Sequence, residues 1–159
     1  INAYSEPGMG TTFRVYLPLS SIGADELASD DFGAVQGGTE TILVAEDDDD
    51  VRRLARVVLR EYGYTLIEAR DGDEAIRQFN EHRDVVDLLL LDVIMPKRGG
   101  REVLDEIQKI KPGIKALFTS GYTADTVHKR GLLEEGQPFI SKPISPKKLL
   151  RKIRETLSA

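Results

Sequence analysis

The sequence predicts an α/β fold: a doubly wound (βα)5 sandwich around a parallel five-stranded sheet, preceded by a β-hairpin. Three observations predict it. From Glu40 onward, short apolar runs alternate with segments whose apolar residues recur at helical spacing. One run, Leu88-Leu89-Leu90-Leu91, is apolar at every position, which marks a strand covered on both faces, as in parallel sheets wrapped in helices. The runs also end in charged residues of complementary kinds: Glu46-Asp47, Asp92, and Lys142 after the last. In a parallel sheet these ends share one rim, and ligands of open α/β folds bind there.

The elements follow in order. Ile1 to Tyr4 and Thr12 to Leu17 alternate like strands around the turn formers Ser5-Glu6-Pro7-Gly8-Met9-Gly10, a hairpin with a long loop. Residues 20–39 are small, polar and acidic, the composition of a linker. Thr41 to Ala45 is the first strand of the repeat, and Val51, Leu54, Ala55, Val58 and Tyr62 form a helical stripe that Gly63 stops. Thr65 to Ala69 is the second strand, and Asp73 is expected to cap a helix through His82 with Ala75, Ile76 and Phe79 inward. Val86 to Leu91 is the third strand, followed by a helix marked by Val103, Leu104 and Ile107 that ends before Pro112. Ala116 to Thr119 is the fourth strand, with a weaker helix around 125–130. Phe139 to Ser141 is the fifth strand. Ser145-Pro146 then opens the last helix, a hydroxyl cap followed by a proline whose missing N–H costs nothing there, with Leu149, Leu150, Ile153 and Leu157 as its stripe. Right-handed crossovers make such a sheet parallel.

Composition excludes several functions. The 159 residues carry 22 basic and 27 acidic side chains, a net charge of −5, which argues against a nucleic-acid-binding surface. There is no cysteine, hence no disulfide framework and no thiolate metal site. No stretch has the length and apolarity of a membrane span or a signal peptide, so a cytoplasmic location without membrane contact is expected of this segment.

The rim residues carry the chemistry. Clustered carboxylates repel unless a cation neutralises them. An all-oxygen cluster suits Mg²⁺ better than zinc. A lysine beside it adds positive charge, and together they can stabilise a phosphoryl group, with a carboxylate as nucleophile forming an acyl phosphate.

These residues, in this order and spacing, resemble the receiver domain of two-component signalling. The resemblance rests on Ile42-Leu43-Val44-Ala45-Glu46-Asp47, Leu91-Asp92 with Met95-Pro96, Ser120-Gly121 and Lys142-Pro143, and covers residues 40–159. It implies a flavodoxin-like sheet of order 2-1-3-4-5 and Mg²⁺ as cofactor. Asp92 is then the phosphoacceptor, served by a phosphohistidine on a histidine kinase core or phosphotransfer domain. Asp47 ligates the metal with Asp92, Glu46 acts beside it through a water, and the Ile94 backbone carbonyl completes the protein's share. Lys142 and Ser120 contact the phosphoryl group, Ser120 and Phe139 form the switch, and the bond before Pro143 is cis. The resemblance also makes the last helix and fifth strand an output surface.

The chain departs from the family pattern in places. Glu46 replaces the commoner aspartate, and Phe139 replaces a tyrosine and lacks its hydroxyl. Gly99-Gly100 replaces aspartate-glycine, which removes a side-chain cap and suggests a looser helix start. Tyr122, two residues past Ser120, is expected to cover the site partly and slow attack by water.

Tyr4 to Phe13, with Arg14-Val15-Tyr16-Leu17-Pro18 after it, resembles the last glycine-rich box and closing hairpin of a histidine-kinase ATPase domain. Residues 1–19 then read as a remnant of that domain, 20–39 as linker and 40–159 as receiver of a hybrid sensor kinase. This segment alone is expected neither to bind ATP nor to act as a kinase, while promoting its own phosphorylation and dephosphorylation. Severed strand edges invite pairing, so a homodimer through the hairpin, or through the face from the fourth helix to the fifth, is a candidate assembly.

Plainer readings compete at each position. Asp48, Asp49 and Asp50 read best as a helix start, one capping and the others facing the positive helix end. Lys142 alone would read as a surface lysine; Pro143 and Asp92 reverse that. Thr119 rivals Ser120, and Phe139 fits plain core equally well. His82 and His128 receive no role, and the basic last helix reads as a solvated face. Two other functions use the same sheet: a phosphorylation-independent receiver-like binding module, and a metal-dependent hydrolase. The latter requires an acid or base just after Asp92, where Val93 and Ile94 supply none.

Overall fold

The structure, a computed structural model, describes residues 1–16, 36–123, 126, 131–134 and 136–159. The expected fourth helix, apart from Thr126, most of the linker, Leu17, Pro18 and His128 lie outside the described residues. The chain divides into two units, Ile1–Gly33 and Ala34–Ala159.

In the first unit, β1 (Asn2–Glu6) pairs antiparallel with β2 (Gly10–Arg14), and every residue of both strands is exposed. The register pairs Glu6 with Gly10. The turn is therefore Pro7-Gly8-Met9, shorter than expected, because Ser5 and Glu6 remain in the ladder. Met9 N–H closes it on the Glu6 carbonyl at 3.1 Å.

The second unit is the expected sandwich. Its strands are β3 (Thr41–Ala45), β4 (Thr65–Ala69), β5 (Val86–Asp92), β6 (Lys115–Ser120) and β7 (Phe139–Ser141). They are parallel, in the order β4-β3-β5-β6-β7. That is 2-1-3-4-5 when the strands of this unit are counted alone. Among the described residues the helices are α1 (Asp49–Glu61), α2 (Gly72–His82), α3 (Gly100–Ile110) and α4 (Pro146–Ser158).

The leucine run explains why the sheet is covered twice. Leu89 and Leu91 pack with Phe79, Val103, Ile107 and Phe118 on one face. Leu88 and Leu90 pack with Val58, Leu59, Leu117 and Ile153 on the other. Each such leucine stabilises the fold by about 2 kcal/mol through burial. Asp92 continues this strand rather than following it, because its backbone still pairs in register with Thr119.

Caps decide the helix starts. Asp48 accepts hydrogen bonds from the Asp50 and Val51 amides, with Asp49 and Asp50 in the first turn. Ser145 caps α4 by accepting from Lys148 N–H. The cap of α2 differs from the expectation: Asp71, not Asp73, accepts from the Glu74 amide at 2.9 Å. The helix therefore begins at Gly72, and Asp73 becomes a first-turn acid. In α1 the stripe is also shifted. Leu59 is fully buried while Leu54 is half exposed, since the face centres on Ala55, Val58 and Leu59. Gly99 indeed gives α3 no side-chain cap, but the Glu102 carboxylate accepts the Gly99 N–H at 2.9 Å.

Gly100 fixes where α3 meets β5. A Cβ there would lie 2.4 Å from the Asp92 carbonyl oxygen and 3.1 Å from Leu91 Cβ. The obstacle is backbone, so relief requires the helix and strand to part. Gly100→Ala is expected to lower unfolding free energy by about 2 kcal/mol, an overpacking cost measurable by urea denaturation. Gly121→Ala serves as the control, since its Cβ would meet nothing within 4 Å and its φ lies outside the left-handed region.

Candidate functional site

Three strand ends deliver the site. β3 runs out into Glu46 and Asp47, β5 ends in Asp92, and Lys142 follows β7 directly. Because the strands are parallel members of one sheet, β3 beside β5 and β7 one strand further on across β6, side chains far apart in sequence converge at one rim. The Lys142 ammonium lies 2.9 Å from Asp92 Oδ2 and 2.7 Å from Glu46 Oε2. Glu46, Asp47 and Asp92 each offer a carboxylate oxygen within 4.8 Å of the others. Glu46 and Asp92 are buried; Asp47 is exposed.

Backbone contacts hold this rim together. Glu46 N–H donates to the Ala69 carbonyl and Val93 N–H to the Thr119 carbonyl. Lys142 N–H donates to the Ser120 carbonyl at 2.7 Å, which ties the lysine to the end of β6. The Lys142–Pro143 peptide is cis. Ser120 is buried, and its hydroxyl oxygen accepts from Tyr122 N–H at 3.2 Å. Its rival Thr119 is also buried but lines an apolar groove with Leu54, Ile144 and Leu149. Phe139 is half-buried at the edge of the α2–α3 side of the core. Tyr122 and Ile94 are both substantially exposed. His82 is exposed, with Nδ1 at 2.9 Å from the Gln78 carbonyl oxygen.

Arg52 belongs to the site and was not anticipated. Its guanidinium donates to the Glu46 backbone carbonyl and pairs with Asp49, and its side chain is largely buried. It orients the turn that aims Glu46 and Asp47. A cation in a helix's first turn opposes the helix dipole, and that sequence oddity could have signalled a separate task.

The electrostatics are frustrated. Burial pushes the Asp92 carboxyl above its ordinary range, against the Lys142 hydrogen bond and a contribution from the Ile94 amide. Burial likewise pushes Glu46 up against Lys142, with Asp92 adding repulsion. Burial pulls the Lys142 ammonium down, but its hydrogen bonds to Glu46 and Asp92 outweigh this and hold it above the ordinary lysine value. The lysine therefore indicates a favourable pairing while the acids indicate an unfavourable one. Both hold, because two buried carboxylates share one ammonium and a third, Asp47, stands beside them. An all-oxygen donor set with surplus negative charge and one water-facing member fits Mg²⁺.

The sequence pattern "Response regulator receiver domain" matches residues 42–154. The chain belongs to this family. A receiver domain from the hybrid histidine kinase CckA is 36% identical, with a TM-score of 0.63 over 74% of this chain and 98% of that one. A receiver domain protein from Clostridium thermocellum is 26% identical, with a TM-score of 0.67 over 75% of this chain and 94% of its own. Among curated proteins, the sensor kinase CckA of Brucella abortus (strain 2308) is 34% identical over 96% of this chain and 17% of its own length. The probable transcriptional regulator ycf27 of Guillardia theta is 34% identical over 74% of this chain and 45% of its own. The receiver chain thus spans less than half the length of either curated relative.

The raised carboxyl values fix a pH dependence. A group whose folded pKa exceeds its unfolded one contributes stability below the unfolded value and loses it as pH rises through the folded value. For Asp92 and Glu46 the loss therefore begins above their ordinary values of 3.8 and 4.5 and proceeds as pH rises through the raised folded values. For Lys142 the corresponding loss comes only above 10.5. At pH 7 without divalent cations, Asp92→Asn is expected to raise unfolding free energy by about 1 kcal/mol, a gain that vanishes below about pH 4. Urea denaturation across that range checks both parts.

Proposed function

We propose that this receiver accepts a phosphoryl group from phosphohistidine onto Asp92, with Mg²⁺, and acts as a phosphorylation-controlled switch. The observation that carries the proposal is the Lys142 ammonium in contact with both buried acids, Asp92 and Glu46, with Asp47 alongside. A carboxylate that must be a nucleophile has to be ionised despite burial, and the lysine opposes the burial effect.

In the proposed reaction an Asp92 oxygen attacks phosphorus, the P–O bond forms and the P–N bond breaks. The electron pair returns to the imidazole nitrogen of the donor. Lys142 stabilises charge on the phosphoryl oxygens, and the Ser120 hydroxyl donates to one of them. When bound, Mg²⁺ would be held by Asp47, Asp92 and the Ile94 carbonyl with Glu46 beside it, and would neutralise carboxylate and phosphoryl charge. Neither Val93 nor Ile94 can activate water, so hydrolysis of the acyl phosphate is slow. Movement of Ser120 toward the phosphoryl group, with a rotamer change of Phe139, carries the signal outward.

The partner in this reading is a histidine kinase core or a phosphotransfer domain, in a cytoplasmic setting. The match to a sensor kinase over 96% of the chain supports reading residues 1–19 as the end of an ATPase domain, 20–39 as linker and 40–159 as receiver of a hybrid kinase.

Acetyl phosphate and Mg²⁺, followed by intact mass, test the proposal. One phosphoryl mass is expected on the wild type and none on Asp92→Asn. No gain, or an equal gain in both, favours a receiver that binds partners without phosphate. Lys142→Met is expected to slow phosphorylation about 100-fold, as loss of a fixed electrostatic donor does. Tyr122→Ala is expected to lose its phosphoryl group faster than wild type; slower loss contradicts the covering role.

A further inference from the structure

The loop after the acceptor, residues 93–99, is closed at both ends by Val93: its N–H donates to the Thr119 carbonyl at 2.9 Å and its own carbonyl accepts Gly100 N–H at 3.1 Å. Met95 drops into the core, but Ile94, Pro96, Lys97 and Arg98 are exposed. An exposed segment with one apolar anchor has many available shapes. Lys97 nevertheless sits at a φ of 67°, and among the described residues it is the only non-glycine in the left-handed region. Something must hold it there.

The holding contacts come from the start of α2. Lys97 Nζ lies 2.8 Å from Asp71 Oδ2. Asp71 is not a mobile surface acid: its side chain is 12% exposed and its other oxygen caps α2 by accepting from Glu74 N–H. The next residue repeats the link, with Arg98 Nε 2.9 Å from Asp73 Oδ1. Between these pairs the loop backbone lies directly on the helix, since a Cβ on Gly72 would come within 2.4 Å of the Arg98 carbonyl oxygen. Two charge pairs and one backbone contact therefore converge on a loop whose Ile94 amide already acts on the Asp92 carboxylate.

We infer that Lys97 is a positioning residue for the acceptor site: its ion pair with Asp71, reinforced by Arg98 with Asp73, keeps the loop in the shape that presents Ile94 to the cation. This rests on the Mg²⁺ role proposed above. Left-handed geometry at Lys97 re-aims the chain between Pro96 and Arg98. Once the pair is lost, that residue relaxes toward ordinary φ and the peptide after Ile94 turns with it.

The test uses the full chain and two readouts: Mg²⁺ affinity by calorimetry, and amide hydrogen exchange at Ile94 and Arg98. Lys97→Met is expected to weaken Mg²⁺ binding about tenfold, as loss of a group that orients a metal ligand does, and to speed exchange at both amides. Lys97→Arg, which keeps the charge, retains wild-type affinity and exchange. Lys97→Gly tolerates the left-handed φ but lacks the pair, and is weakened like Lys97→Met. Asp71→Asn keeps a capping side chain and loses the charge, so it matches Lys97→Met, and the double variant is no worse than either. Wild-type Mg²⁺ affinity in Lys97→Met, or no rescue by Lys97→Arg, overturns the inference. Absence of Mg²⁺ binding by the wild type overturns the cation reading instead. In that case unchanged exchange in Lys97→Met still overturns the positioning role on its own.

Discussion

One ammonium group holding two buried carboxylates constrains the rest of this unit. Lys142 contacts Asp92 and Glu46 at 2.9 and 2.7 Å, and Asp47 stands within 4.8 Å of both acids. The cluster is unfavourable by itself: three acids gather around a single base that contacts two of them, and burial raises those two carboxyl groups. Such an arrangement persists only where the surrounding fold is stable enough to hold it. Its excess negative charge is what a divalent cation and then a phosphoryl transfer can use.

The fold supplies that support through parallel strands. Leu88 to Leu91 bury alternately into two cores, so β5 is fixed on both faces and Asp92 ends it at a defined height. The other strands of the sheet run the same way, which brings Glu46 after β3 and Lys142 after β7 to that height despite their distance in sequence. Gly100 lets α3 begin against the backbone of Asp92. Arg52 fixes the turn behind Glu46, and Asp71 with Lys97 ties down the loop in front. Asp92 is thus held from its own strand, from β3, β6 and β7 of the same sheet, and from the starts of α1, α2 and α3.

Much of this was legible in the sequence. A run apolar at every position can only be doubly covered, and charged residues at strand ends of a parallel sheet must meet. Ser145-Pro146 marks a helix start so strongly that the boundary falls where it was expected. The errors have local causes. Asp71 and Asp73 are both good caps, and only the close fit of Gly72 against Arg98 selects Asp71. Leu54 and Leu59 are equally apolar, and the choice between them depends on how α1 rolls on the sheet. Arg52 and Lys97 act across elements, on a carbonyl six positions back and an acid twenty-six positions back, so no local pattern announces them.

The central claim concerns where a histidine-borne phosphoryl group goes. A histidine-phosphorylated kinase core, isotopically labelled at phosphorus and mixed with this chain, measures it directly when the product is trapped by borohydride and sequenced. Label that passes to the receiver only with Mg²⁺ present, and reduction confined to residue 92, is the expected result. Label that stays on the donor, or arrives at a residue other than Asp92, contradicts the account.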